Sequence, residues 1–492
     1  MKNKILQYVS SAALGVAVFL FWCLLYPYSL GFQEQNQLFL FTWDYFVERI
    51  VVGGGLADYI AEFITQFSYL PYLGEILMAV LFVVFQRAIA RLIDRDEWYS
   101  LSFVAPVMLL LYMGDFSVMM AYLVALIITV QLCIIYQRCP GLLWAGIASV
   151  LGYLLIGPAV VVFSLYVVIK EKSWQSLLIP VSAVLAVVVS KLTFLQQYPW
   201  QTLFCGINYY RKPLTVPAVQ PIIAAVVFAI PVLTLYLPKP KAVGKALVAC
   251  LVISGAAVGC ALSYQKDVAE IVAYDQMVRH EDWKGLVERA EKYQPDSDLG
   301  CVSVNLALVM SGRGEELLSF KQFGTTGLIQ PRVRDYISNS SSAEVFWRLG
   351  MINESLRYAF DTQESMANNR KSGRWMCRVA ECQILNGRYD AAEKYLDILS
   401  HSLFYRKWAN DHRKYLRNDE TIASDKVYAY LQAVRYKEDF LYYYPEMDKM
   451  LAKLYFENRN NVLAAWYFNA WTALKINETY DKETYSGNAH AN

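Results

Sequence analysis

The sequence predicts a two-part, all-α fold: a polytopic helical membrane domain over residues 1–263 and a soluble helical-repeat solenoid over residues 264–492. Three observations predict it. Long apolar runs with isolated charges fill the first part, and most approach the ~20 residues that a helix needs to cross a bilayer. Lys, Arg, Asp and Glu concentrate after Tyr264. Helix-breaking turns then recur at a nearly constant spacing. Over all 492 residues, 56% are hydrophobic and 18% charged, against about 25% charged in an ordinary soluble domain.

The expected crossings, about nine, are Val9–Tyr26, Pro71–Ala90, Leu101–Met113, Ser117–Tyr136, Leu142–Ile156, Ala159–Ile169, Leu177–Leu192, Ile222–Leu237 and Ala246–Tyr264. The first lacks a small-x-small cleavage site, since its exit reads Tyr26-Pro27-Tyr28, and is read as a retained helix. Lys and Arg collect on the cytoplasmic side of spanning helices. With the N-terminus inside, the clusters Lys2/Lys4, Arg87/Arg91/Arg95, Arg138, Lys170/Lys172 and Lys239/Lys241/Lys245 all fall inside. The C-terminal domain then lies outside. One pair is ambiguous. The stretch between Arg138 and Lys170 would make about 47 Å of helix, long for one crossing and short for two. Gly157-Pro158 breaks it, so a tight or re-entrant hairpin is expected; a single tilted span would reverse the side of the C-terminal domain.

Most loops are minimal, but the first outer loop, Pro27–Leu70, is not. It carries Glu34, Asp44, Glu48, Asp58 and Glu62 against a single Arg49, with Phe32, Phe39, Phe41, Trp43, Tyr45 and Phe46. Gln35–Ile50 reads as a short helix with Asp44 and Glu48 one turn apart. Gly53-Gly54-Gly55 reads as a flexible break. After it, Leu56, Ile60, Phe63, Ile64 and Phe67 share one helical face and Asp58 and Glu62 another, the pattern of an amphipathic helix lying at the membrane surface. Acids on such helices commonly form only a wetted face. Glu75, one turn inside the second span, is costlier to hold there, and Asp115 occupies the next outer turn. Convergence of these acids on one outward-facing pocket would allow general-base chemistry, proton relay or binding of a divalent metal. The second outer loop ends in Tyr209-Tyr210-Arg211-Lys212. Arg211 and Lys212 can grip a phosphate, and the aromatics can equally anchor the loop at the interface.

This order of parts resembles the GT-C superfamily of membrane glycosyltransferases over about residues 1–220. The resemblance implies a polyprenyl-phosphate-linked sugar as donor, Glu34 or Asp44 as catalytic base, and Asp115 as the second acid. In that scheme Asp58, Glu62, Glu75, Arg211 and Lys212 would bind substrate. The adjacent pair of acids usual in that superfamily is missing: Glu34 is followed by Gln35 and Asp44 by Tyr45. The whole chain also resembles an uncharacterised family of Bacteroidetes inner-membrane proteins, through Gln33-Glu-Gln-Asn-Gln-Leu-Phe-Leu-Phe41, Gly54-Gly-Leu-Ala-Asp-Tyr59 and Thr65-Gln-Phe67. It implies a Gram-negative envelope and no particular activity.

In the outer part, Asn386-Gly-Arg-Tyr-Asp-Ala-Ala-Glu-Lys-Tyr-Leu396 resembles the inter-helix turn and second helix of a tetratricopeptide repeat. Comparable breaks stand at Ser311-Gly312, Leu349-Gly350 and Asn458. Stacked helix pairs of this kind form a surface for a protein partner or simply stabilise the membrane part. The aromatic clusters Phe440–Pro445 and Trp466–Trp471 read as packing, and the tail after Asn477 as frayed.

The near balance of 45 basic and 43 acidic residues gives no reason to expect a nucleic acid. No Walker loop or dinucleotide fingerprint is present. The nine cysteines lack zinc-type spacing. All four histidines, 280, 401, 412 and 490, lie in the outer domain, which argues against a histidine-based membrane enzyme. Two functions remain: a GT-C-like transferase at the outer face of the inner membrane, or a non-enzymatic scaffold recruiting an envelope protein.

Overall fold

The structure, a computed structural model, describes residues 2–212, 215–333, 335–436 and 443–489. Of the residues singled out above, Phe440–Tyr442 and His490 lie outside the described residues. The chain divides into two compact units, Met1–Gln265 and Lys266–Asn492. The described residues are helical throughout, with two isolated β-bridges and no strand.

The first unit contains α1 (Lys2–Leu20), α2 (Ser29–Gln35), α3 (Trp43–Ile50), α4 (Gly55–Thr65), α5 (Leu73–Ile93), α6 (Val104–Tyr112), α7 (Met120–Arg138), α8 (Leu142–Ile156), α9 (Val161–Glu171), α10 (Leu178–Thr193), α11 (Trp200–Cys205), α12 (Val219–Tyr236) and α13 (Ala242–Ser263). Six helices are long and apolar enough to cross a bilayer: Lys4–Leu25, Leu73–Ile93, Met120–Arg138, Trp174–Thr193, Val219–Tyr236 and Val243–Ser263. The protein is therefore a polytopic helical membrane protein. The other three expected crossings are shorter. Leu101–Met113 is divided between a 3-10 segment, Asp96–Phe103, and the nine-residue α6. α8 has 15 residues and α9 has 11, about 22 and 17 Å of helix, less than a ~30 Å hydrocarbon core. The two fold back on each other at Gly157, whose φ of +86° suits glycine. This is the hairpin that Gly157-Pro158 foretold.

Polar side chains inside this unit are joined to one another. Ser11 donates to Gln86 Oε1 at 2.7 Å, and Gln86 Nε2 donates to Ser102 at 2.6 Å, tying α1 to α5 and to the 3-10 segment. Such links replace hydration that the bilayer cannot supply.

The second unit contains α14 (Lys266–Arg279), α15 (Trp283–Lys292), α16 (Asp298–Met310), α17 (Tyr336–Leu349), α18 (Ile352–Glu364), α19 (Gly373–Leu385), α20 (Tyr389–Ser400), α21 (Arg406–His412), α22 (Asp419–Ser424), α23 (Lys426–Val434), α24 (Met447–Glu457) and α25 (Val462–Ala489). α17–α18, α19–α20 and α24–α25 form helical hairpins. Gly350 and Gly387, both at positive φ, end the first helix of two of them. The break at Gly312 behaves differently. It is followed by one 3-10 turn, Gly314–Glu316, and irregular chain up to α17. α25 continues to Ala489. It also returns to the middle of the unit, where Asn461 Nδ2 donates to Leu349 O at 2.9 Å. Tyr467 and Trp471 are buried beside Phe346, Tyr358 and Trp375 in one core.

A buried ion cluster ties α14, α17 and α19 together. Arg374 bridges Asp275 at 2.9 Å and Glu344 at 2.9 Å. Arg348 and Arg378 also reach Glu344, at 3.0 and 3.1 Å. Burial pushes the Glu344 carboxyl up, but Arg378, Arg374 and Arg348 together hold it well below the usual carboxylate range. The folded state therefore favours the ionised form, and that stability is present above the ordinary glutamate pKa and lost as the pH falls below it. Replacing Glu344 by Gln should destabilise this unit by about 3–5 kcal/mol, because three buried guanidinium groups lose their shared partner. Tryptophan-fluorescence unfolding of the full chain between neutral and acid pH should show wild-type stability declining below about pH 4. The Glu344→Gln variant should show a flatter decline over the same range.

Candidate functional site

The loop segments 27–70 and 207–212 both meet the tip of the α8–α9 hairpin. Gly54 N donates to Leu154 O at 2.9 Å. A Cβ on Gly54 would lie 3.4 Å from the backbone of Gly157, and one on Gly55 would lie 1.9 Å from Arg49 O. The triple glycine is therefore a close-packing device, which corrects its reading as a flexible break. From the second loop, the Tyr209 hydroxyl donates to Ile156 O and accepts from Ala159 N at 3.4 Å. The residues after it pair antiparallel with the turn before α7: Met119 N donates to Tyr209 O at 3.0 Å, and Arg211 N to Ser117 O at 2.7 Å.

The same turn holds the end of α2. The rings of Phe32 and Phe116 meet edge to face at 5.7 Å, and Gln37 Nε2 lies 3.5 Å from Met119 Sδ. The five residues Gln33, Glu34, Gln35, Asn36 and Gln37 are all 3% exposed or less. So long a buried polar run is unusual, because a buried polar group is costly unless it finds a partner. Glu34, Asp115 and Arg211 thus lie on three segments gathered at one place, residues 115–119.

α4 is turned the opposite way from the amphipathic surface helix expected. Asp58 and Glu62 are each 1% exposed, with Ala57, Ala61 and Thr65 on the same buried side, while Phe63 is exposed and Leu56, Ile60, Ile64 and Phe67 are half-buried. The physical reason is the solvent. Beside hydrocarbon the apolar stripe faces outward, and carboxylates turn in toward protein partners. The partner of Glu62 is Arg49 on α3, at 3.2 Å, and the Tyr45 hydroxyl donates to the same carboxylate. Burial opposes the charge on Arg49, and Glu62, Tyr45 and Asp58 more than offset it, so its pKa lies above the ordinary guanidinium value. Arg49 and Tyr45 were not among the expected site residues. The signal was present, since Arg49 is the lone cation of an acidic loop.

The remaining expected residues do not join this group. Asp44, in the first turn of α3, is exposed, whereas Tyr45 and Arg49 of the same helix are buried. Lys212 is exposed next to the buried Arg211. Glu75 is half-buried in the first turn of α5, with Cys23 of the first span as an electrostatic neighbour. Asp115 is half-buried and braces the turn, accepting from Ser117 N at 2.8 Å and from the Tyr210 hydroxyl at 2.9 Å. Among the described residues, no three His, Cys, Asp or Glu side chains gather as a set able to hold a metal ion. These side chains do not assemble the donor set of a metal centre.

The Arg49–Glu62 pair gives a direct test. Arg49→Met should lower the stability of the detergent-solubilised protein by about 3–5 kcal/mol, since it strands a buried carboxylate. The double change Arg49→Met/Glu62→Leu should recover most of that loss in thermal unfolding.

Comparison with curated proteins and with solved structures gives no match. A family described as "Family of unknown function (DUF6057)" matches residues 2–478, and on that near-complete coverage the chain belongs to DUF6057.

Proposed function

We propose that this membrane protein is a GT-C-like transferase that moves a sugar from a polyprenyl-phosphate donor at the outer face of the bacterial inner membrane. One observation carries the reading: Glu34 and Arg211, each 5% exposed or less, sit on segments bound to the same 115–119 turn. A buried carboxylate and a buried guanidinium on one rigid support are what an acyl- or glycosyl-type transfer from a phosphate leaving group requires. Glu34 takes the proton from the acceptor hydroxyl as that oxygen bonds to the anomeric carbon. The bond from that carbon to the phosphate oxygen breaks, and the phosphate leaves with the electron pair. Arg211 meets the developing charge. Asp115 is a positioning residue, because its two oxygens hold Ser117 and Tyr210 on either side of the Arg211 strand.

The distribution of Lys and Arg among the short loops supports an orientation with the N-terminus cytoplasmic and with both large loops and the second unit periplasmic. The expected outcome is that Glu34→Gln and Arg211→Ala, at normal protein level, abolish the envelope glycan made in cells, whereas Asp44→Ala does not. Unchanged glycan in Glu34→Gln would refute the transferase reading.

A second reading, that the TPR-like hairpins recruit a periplasmic protein, draws on an open groove beside α20. Its lining includes Arg388, Tyr389, Asp390, Lys394, Tyr395 and Arg417; Arg417 pairs with Asp390, and Arg388 and Lys394 beside the two tyrosines suit an acidic peptide segment. A photocrosslinker at Tyr395 should then trap one abundant envelope protein. A ladder of unrelated products would count against recruitment.

A further inference from the structure

The transferase reading leaves the most unusual part of the site unused. Neither Oε1 nor Nε2 of Gln33 has a hydrogen-bond partner among the described residues, and Gln33 is 1% exposed. Three residues on, Asn36 Oδ1 is likewise buried without a partner, although its Nδ2 donates to Phe32 O at 3.0 Å. Residues three apart at the end of a helix share a face. Gln37, just past the end of α2, reaches Met119, so this end of α2 lies against the 115–119 turn that also pairs with the Arg211 segment. Two acceptors and a two-proton donor are therefore concentrated in one buried place next to Glu34.

Buried amides are normally satisfied within the protein, because leaving them unmade forfeits their hydration with nothing in return. A fold that keeps three such atoms unmatched is under-satisfied at a site where it is otherwise tightly packed, and local rules fail most often where function demands it. The chemistry missing is specific. A neutral amide presents a donor and an acceptor side by side, and a hydroxyl group offers the same two in return. A charged ligand would instead be drawn to Arg49, Arg211 or the carboxylates. Phe32, next to Gln33 in the chain, meets Phe116 edge to face at 5.7 Å between ring centroids, which gives the place an apolar flank.

We infer that Gln33 and Asn36 form a binding subsite for an uncharged polyhydroxyl group, a sugar ring, recognised through its hydroxyls. This rests on the transferase reading for its place in a reaction but not for its evidence. The subsite determines which sugar is accepted, and its unmatched amides are satisfied on binding. The ligand-free protein is correspondingly less stable at this point than an apolar replacement would make it.

The test uses the full-length protein in lipid nanodiscs, with glucose, galactose, mannose and N-acetylglucosamine as separate probes. At least one monosaccharide should raise the unfolding temperature of the wild type by several degrees. Gln33→Leu should raise the unfolding temperature without sugar and abolish the sugar-dependent shift, and Asn36→Leu should weaken that shift. The inference is overturned if no monosaccharide shifts the wild type, or if Gln33→Leu keeps the shift. It is equally overturned if Gln33→Leu and Gln33→Met both unfold several degrees lower, because the amide would then serve the fold. Glu34→Gln separates the two readings. If it retains the sugar shift and leaves cellular glycan unchanged, the subsite stands and the transferase reading falls.

Discussion

The hydrogen bond from Gly54 N to Leu154 O supports the rest of the loop architecture. Glycine suits both sides of this contact: Gly54 and Gly157 each hold a positive φ, and a Cβ on Gly157 would fall 2.7 Å from the Tyr209 hydroxyl. That contact seats the first outer loop on the tip of a hairpin too short to cross the bilayer by either arm. The second loop grips the same tip through the Tyr209 hydroxyl. With both loops fixed there, α4 has its orientation and the residues 207–212 have theirs. The polar interior between them follows.

That interior obeys the logic of a protein in hydrocarbon. Charges and amides cannot face the bilayer, so they turn inward and must find one another. Arg49 and Glu62 do so directly. Ser11, Gln86 and Ser102 do so deeper in the helices. The second unit follows the same rule: Glu344 is shared by three arginines and joins α17 to α19. Gln33 and Asn36 depart from the rule, as Thr129 and Asn339 also do, but Gln33 and Asn36 lie on the segment that carries Glu34. They coincide with the place where Glu34, Asp115 and Arg211 gather, which is why the site and the exception are read together.

Some of this was legible in the residues and some was not. The dipeptide Gly157-Pro158 marked the hairpin. Asp115 and Arg211 were identifiable as unusual because each interrupts an otherwise aromatic or apolar context, whereas Glu34 stands within a polar run. The face that α4 buries was not legible. Periodicity separates the two faces of a helix but does not say which one meets lipid and which meets protein, and that choice inverted the expected roles of Asp58 and Glu62. Asp44 and Glu34 looked equivalent as candidate bases, and only the turn of α3 exposes one while α2 buries the other. The run Gln33–Gln37 was noticed as a resemblance rather than as chemistry, because polar residues in a loop are ordinarily solvated.

The sequence by itself determined that this chain is helical, that much of it crosses a membrane, and that a charged helical part follows. Those properties are carried by local composition and by the period of the apolar residues, which act over one or two turns. Only the tertiary structure decided which polar groups are buried together and which are left at the surface. That outcome depends on close approach between segments as far apart as Gly54 and Leu154, at glycines and carbonyls whose partners no local pattern specifies.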